Sequence, residues 1–248
     1  MKDRYFTVTV TPDITASKQH AAAFTAGDVL FDWTEVQIPK GTSRLIGGAM
    51  LVRGKGNSAC TANKFGSFLL LSSTNTQTLG TINSTPDKAP SNDLLGLLEL
   101  EDASSFAHSS LKGTTIGMAG RASNTSTQAN VLITATQTGD NVGYDKIYIG
   151  ALAAGAFDFT TINRINDGDI DTTSPGTSLV CDGASMDLTR HFIAGDVLHA
   201  HDDAVIGTVA SVASTEITLT EAIATGVLED DDYVYSLNPI KIILYFEK

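Results

Sequence analysis

The chain has 248 residues, 42% of them hydrophobic, which is enough for a packed core and argues against wholesale disorder. Charged residues make up only 18%, so the polar surface must be built largely from Thr, Ser, Asn and Gly, a composition that suits exposed strands and turns better than helices. The formal net charge of −12 sets up a field that repels phosphate backbones, which disfavours DNA or RNA as a direct partner.

Taken in order, Tyr5–Val10 alternates Phe6, Val8 and Val10 against Tyr5, Thr7 and Thr9 and predicts an opening strand. A polar, Ala-rich bridge follows, then a turn at Ala26-Gly27-Asp28 leading into a strand, and a second turn at Pro39-Lys40-Gly41-Thr42. Arg44–Arg53 reads as a long strand loosened by Gly47 and Gly48, the signature of a bulge. Phe65–Leu71 is apolar on both faces and predicts a central strand. Leu94–Leu100, Val131–Thr136 and Tyr144–Leu152 predict three more, with a turn-rich stretch over 79–92.

From about Phe159 the texture changes to Asn, Asp and Gly, and a compact series of short strands begins near Gly195. Val205–Val212 and Thr215–Thr220 alternate, with Ile217 and Leu219 expected inward, and Tyr233–Tyr235 follows an acidic turn. Glu221–Thr225 is expected to be at most a single helical turn. The last stretch, Ile240–Glu247, has Ile240, Ile242, Leu244 and Phe246 on one face, a strand with one side well buried. Such a strand needs a sheet waiting for it, and the expected partners are Tyr5–Val10 or Val131–Ala135. The expected fold class is therefore all-β: a jelly-roll-like antiparallel β-sandwich over 1–160, closed by a C-terminal strand at 239–248, with a small SH3-like β-barrel inserted over 161–238.

The search for chemistry yields fragments. Asp167, Asp169 and Asp171 alternate as a calcium loop begins, but the sixth and twelfth positions are Thr172 and Ser178 rather than Gly and Glu. A solvated turn is the plainer reading, as it is for Glu229-Asp230-Asp231-Asp232. His199-Ala200-His201-Asp202-Asp203 puts two imidazoles on one face of a strand, and a metal would need a third ligand such as His191. Arg53-Gly54-Lys55-Gly56 fails as a phosphate loop, because Ala49 and Gly56 stand where Gly and Ser or Thr are required. Around Ser185 the sequence Gly183-Ala184-Ser185-Met186-Asp187 is no nucleophile elbow. Trp33, Tyr144, Tyr148, Tyr233 and Tyr235 have the chemistry to stack on sugars, though core packing is their commoner use in a sandwich. Cys60 and Cys181 lie far apart with no metal spacing, and no disulfide framework is expected. No signal peptide and no membrane-spanning run is read, so synthesis and folding in a cytosol are expected and the sequons at Asn83 and Asn124 carry no weight. No catalytic, cofactor-binding or metal residue is assigned, no cofactor is expected, and the chain is read as no enzyme.

Thr7-Val8-Thr9-Val10-Thr11-Pro12, Phe24-Thr25-Ala26-Gly27-Asp28-Val29 and Leu94-Leu95-Gly96-Leu97-Leu98-Glu99-Leu100 resemble virion structural proteins of tailed phages, especially those of marine cyanobacteria. Gly195-Asp196-Val197, the run from Ile206 to Val212, Ile217-Thr218-Leu219-Thr220 and Asn238-Pro239-Ile240 resemble small barrels appended to such proteins. The resemblance implies a capsid decoration (cement) protein made in the host cytoplasm and seated on the capsid surface of the virion. It implies the major capsid protein lattice as partner and a homotrimer as the working form, with no nucleic acid and no membrane bound. Three rivals stand beside it: a tail or baseplate component, a carbohydrate- or receptor-binding module, and a metal-assisted hydrolase built on the His199/His201 region.

Overall fold

The computed structural model describes residues 4–52, 67–87, 93–102, 115–121, 130–134, 145–155, 159, 176–180, 188–228 and 232–248. Its secondary structure is 51% strand and 4% helix, and every strand pairing among the described residues is antiparallel. The fold is all-β. The calcium-like stretch with Asp167, Asp169 and Asp171, both cysteines, Tyr144, the Arg53–Gly56 and Gly183–Asp187 motifs, and Asn124 lie outside the described residues.

The chain opens with β1 (Tyr5–Val10) and a short helix α1 (Ala16–His20), followed by β2 (Val29–Gln37), β3 (Ser43–Val52), β4 (Ser67–Ser72) and β5 (Leu94–Asp102). Then come β6 (Thr115–Arg121), β7 (Val131–Ile133) and β8 (Lys146–Ala153). After these, β9 (Ser178–Val180), β10 (Val197–Ala200), β11 (Val205–Val212), β12 (Glu216–Leu219) and β13 (Val234–Ser236) lead to the closing β14 (Ile240–Glu247). One sheet runs β1-β14-β3-β6-β5-β4-β8-β2, with β7 paired to the end of β3. A second runs β13-β10-β11-β12-β9.

Within the larger sheet the hydrogen-bonded path curls until its two ends, β1 and β2, approach one another. Opposite parts of one sheet therefore face each other across a shared, sandwich-like core. Val10 from β1, Phe31 and Val36 from β2, Leu69 and Leu71 from β4 and Ile147 from β8 meet there with Leu244 and Phe246. The smaller sheet has a core of its own, built on Leu179, Leu198, Val209, Ile217, Leu219 and Val234.

β14 explains how the larger sheet holds together. Ile240, Ile242, Leu244 and Phe246 are fully buried while Lys241 is exposed and Ile243, Tyr245 and Glu247 are half-buried, as period-2 alternation dictates. It lies between β1, with Phe6 opposite Phe246 and Val10 opposite Ile242, and β3, with Ile240 opposite Val52. The Phe6 and Phe246 rings stack at 5.0 Å and 4°. Its second flank is thus Ser43–Val52; Val131–Ile133 pairs with the far edge of β3 instead. Ile46 is left unmatched where the register steps from Gly47–Tyr245 to Leu45–Phe246, a bulge beside the paired glycines. A Cβ on Gly48 would lie 3.1 Å from the Ile243 carbonyl oxygen, so the close passage of β14 requires a bare backbone there.

Where the chain returns from the smaller sheet, polar groups tie it down. Ile14 N donates to Leu237 O at 2.8 Å, and Asn238 Nδ2 donates to Asp13 Oδ1 at 2.6 Å. Gln19, only 2% exposed, uses both amide hydrogens, donating to Ile14 O at 2.7 Å and Ser236 O at 2.8 Å. A shorter apolar side chain leaves both carbonyls buried without donors, at a cost of about 1–3 kcal/mol each. Gln19→Ala is accordingly expected to lower unfolding free energy by about 2–4 kcal/mol in a urea titration, whereas replacing exposed Lys18 by Ala stays within about 0.5 kcal/mol.

Candidate functional site

Five residues are too few for a helix to stand alone, and α1 has no side-chain cap from Thr15. Its support comes from the turn between β10 and β11. Asp203 Oδ1 accepts from Ser17 N at 2.9 Å and Oδ2 from Ser17 Oγ at 2.6 Å, so a carboxylate takes up an orphan donor of the first helical turn. Asp203 reaches this position from a left-handed backbone conformation, φ +74, which Asp tolerates better than most residues. Burial, the largest single influence, pushes its carboxyl up. The hydrogen bonds from Ser17 Oγ, Ser17 N and Ala16 N, with the nearby His199, outweigh that and hold it below the ordinary 3.8.

At the other end of α1, His20 enters a cluster of rings. Its Nδ1 lies 2.8 Å from the hydroxyl of the fully buried Tyr235. The imidazole centroid is 5.1 Å from that of His201, 5.2 Å from Tyr233 and 5.9 Å from Tyr235. Nδ1 of His201 is 3.7 Å from Asp232 Oδ1. Three distant parts of the chain thus bring two histidines, two tyrosines and two aspartates to the seam between α1 and the smaller sheet. Burial first, and then the neighbouring His201, lower the His20 pKa below its ordinary 6.5, with Asp232 pulling the other way.

The residues singled out in the sequence are distributed differently from their spacing. β10 ends at Ala200, so His201 belongs to the turn while His199 stays on the strand. His199 Nδ1 lies 3.1 Å from Asp203 O, and His201 turns to His20 and Asp232. His191 is buried beside Phe192, with ring centroids 6.1 Å apart. Among the described residues no group of three His, Cys, Asp or Glu side chains is placed to hold a metal ion. The aromatics are drawn inward: Tyr148 and Tyr235 are buried, and Trp33 packs over Gly150, where a Cβ would come within 3.1 Å of its ring. The Asn83 side chain donates to Ala22 O at 2.6 Å.

The outer face of the smaller sheet mixes polar residues, among them the exposed Ser178, Ser211 and Glu216, with exposed valines. Val197 and Val205 are 44% and 57% exposed, Val205 stands directly opposite His199 across the strand pair, and Ile193 just before β10 is 62% exposed. Leu198, Ala200 and Ile206 fill the buried side. Sequence reading missed Ser17, Gln19 and His20, because nothing within a polar, Ala-rich bridge reveals that its partners lie in a distant turn. Among the described residues no helix is long and apolar enough to cross a membrane. No protein-family model, no curated protein and no solved structure matches this chain.

Acid is expected to weaken the seam in two stages. Unfolded His20 takes up its proton around 6.5 while the folded side chain resists, so stability falls as the pH drops through that value and levels off once the folded form is protonated too. Stability measured by urea titration between about pH 7 and pH 5 should therefore slope less steeply in His20→Gln than in the unaltered chain. Asp203, depressed in the folded state, adds a further loss only as the pH falls through 3.8 and below. Asp203→Ala should cost about 1 kcal/mol at neutral pH through the lost cap, and Asp203→Asn, which keeps one acceptor oxygen, less.

Proposed function

We propose that the chain is a non-enzymatic virion structural protein, a capsid decoration (cement) protein that binds and stabilises an assembled head shell. The observation that carries this reading is the outer face of the smaller sheet, where Val197 and Val205 stand exposed beside His199, with a third exposed apolar side chain, Ile193, in the turn before β10. A purely solvated module gains nothing from two exposed valines on one face, and neighbouring apolar side chains mark contact surfaces more often than scattered ones do. In this reading the larger sheet is a jelly-roll-like body and the smaller an SH3-like appendage. The hydrogen bonds of Gln19, Asn238 and Asp203 hold the appendage at a fixed attitude to the body. Each contact with the shell buries a modest apolar area. Many copies on one lattice add, because each further contact is intramolecular once the shell exists. The net charge of −12 keeps the remaining surface soluble and away from nucleic acid.

Val197→Asp combined with Val205→Asp should abolish co-sedimentation with empty shells of the cognate major capsid protein while leaving the thermal midpoint unchanged within a few degrees. The unaltered protein should sediment with shells to a fixed stoichiometry of hundreds of copies and behave as a trimer by sedimentation equilibrium. A handful of copies per particle points to the tail or baseplate instead, and a monomer with no affinity for shells removes the reading.

A further inference from the structure

The ends of β1, β14, β3 and β7 meet at one corner of the larger sheet, far in sequence from the face discussed above. Pairing sets Tyr5 opposite Glu247, Glu247 opposite Arg44, and Arg44 opposite Leu132. Four side chains from four strands therefore form one transverse row. Its ends are apolar and exposed, Tyr5 at 60% and Leu132 at 57%, and its middle is charged. Arg4 reaches into the row: its Nη2 lies 2.5 Å from Glu247 Oε1, and its Nε donates to the same oxygen at 2.8 Å. The Tyr5 hydroxyl is 3.4 Å from that oxygen as well.

Glu247 is thus committed mainly to Arg4. Arg44 Nη1 stands 3.9 Å from the other carboxylate oxygen, near enough for attraction and too far for a hydrogen bond. Its planar fork of donors remains available, and its side chain is half exposed. Arg4, Arg44, Lys248 and Glu247 share with Thr42 and Leu132 the wall of an open depression of about 270 Å³. Ser43 also lines it, and the Ser43 hydroxyl is buried with no hydrogen-bond partner among the described residues. Three cations around one carboxylate invert the balance of a chain with 16 basic and 28 acidic residues.

We propose that this corner is a receptor for an acidic segment of a partner protein, with a carboxylate taken by Arg44 and apolar neighbours of that carboxylate packed on Tyr5 and Leu132. Charge selects the class. The three cationic side chains draw an anion into the depression, while the chain's net charge of −12 opposes the dense charge of a nucleic acid more than the spaced carboxylates of a short segment. The exposed Tyr5 and Leu132 offer nothing to a bare ion but suit a peptide with alternating acidic and apolar side chains. A guanidinium beside a shallow apolar rim is the arrangement that reads such a segment, since Arg engages carboxylates through two parallel hydrogen bonds. The site lies on the larger sheet and stands or falls independently of shell binding, which uses the smaller one.

The test is a titration of the ¹⁵N-labelled full chain with a short, end-blocked peptide alternating Glu and Leu, followed by NMR. Saturable shifts confined to the amides of Arg4, Tyr5, Thr42, Ser43, Arg44, Leu132, Glu247 and Lys248 are expected. Arg44→Gln should weaken the peptide roughly tenfold, and so should Gln for Glu in the peptide with the protein unaltered. Absent or scattered shifts overturn the proposal, as does a Gln peptide that binds as well as the Glu peptide. Inorganic phosphate producing the same shifts at lower concentration than the peptide also overturns it, in favour of a simple oxyanion site.

Discussion

The structure depends on a strand that is hydrogen-bonded along both edges. β14 lies between β1 and β3, and among the described residues the path of the larger sheet gives β1 no other partner. Ile240, Ile242, Leu244 and Phe246 are each fully buried, and burying such side chains is worth about 1.5–3 kcal/mol apiece before chain entropy is counted. Those contacts join the first described residues to the last, so the sheet is complete only once a loop of nearly the whole chain has closed. Local contacts cannot substitute for it, and slow folding of the kind seen in sheets of high contact order follows.

The smaller sheet, β9 to β13, consequently lies in the chain between two strands of the larger one, β8 and β14. The smaller sheet packs around its own apolar cluster, while its described links to the N-terminal segment are mostly polar: Gln19 to Ser236, Ile14 to Leu237, Asn238 to Asp13, and Asp203 to Ser17. Directional hydrogen bonds set orientation more sharply than apolar contact does. They also make the seam responsive to acid, because His20 and Asp203 both sit in it and both lose their native protonation state as pH falls.

Much of this could be read from residues alone, and the boundary has physical causes. The alternation in β14 was legible because one face is buried along its whole length, and so were the inward positions of Ile217 and Leu219. The bulge at Ile46 was signalled by Gly47 and Gly48. α1 was not legible, since its first turn is held by a carboxylate 186 residues away. β6 escaped notice because Thr-Ile-Gly-Met-Ala-Gly-Arg carries two glycines and only two β-branched residues. Over Glu221–Thr225, where at most one helical turn is expected, none forms: Ile223 is buried and its N–H donates to Gly176 O at 3.2 Å. Half of the histidine cluster was visible in His201, while His20 lay hidden in a bridge without pattern.

Hydrogen exchange along β14 tests the central arrangement most directly. In a strand flanked on both sides, successive amides donate alternately to one neighbour and the other, so the N–H groups of Ile242, Ile243 and Leu244, paired on both flanks and clear of the step in register, all have partners. The arrangement therefore predicts uniformly slow exchange across these residues, matching that of β3 and disappearing only with global unfolding. Protection at every second amide, or rapid exchange throughout Ile242–Leu244, would contradict it.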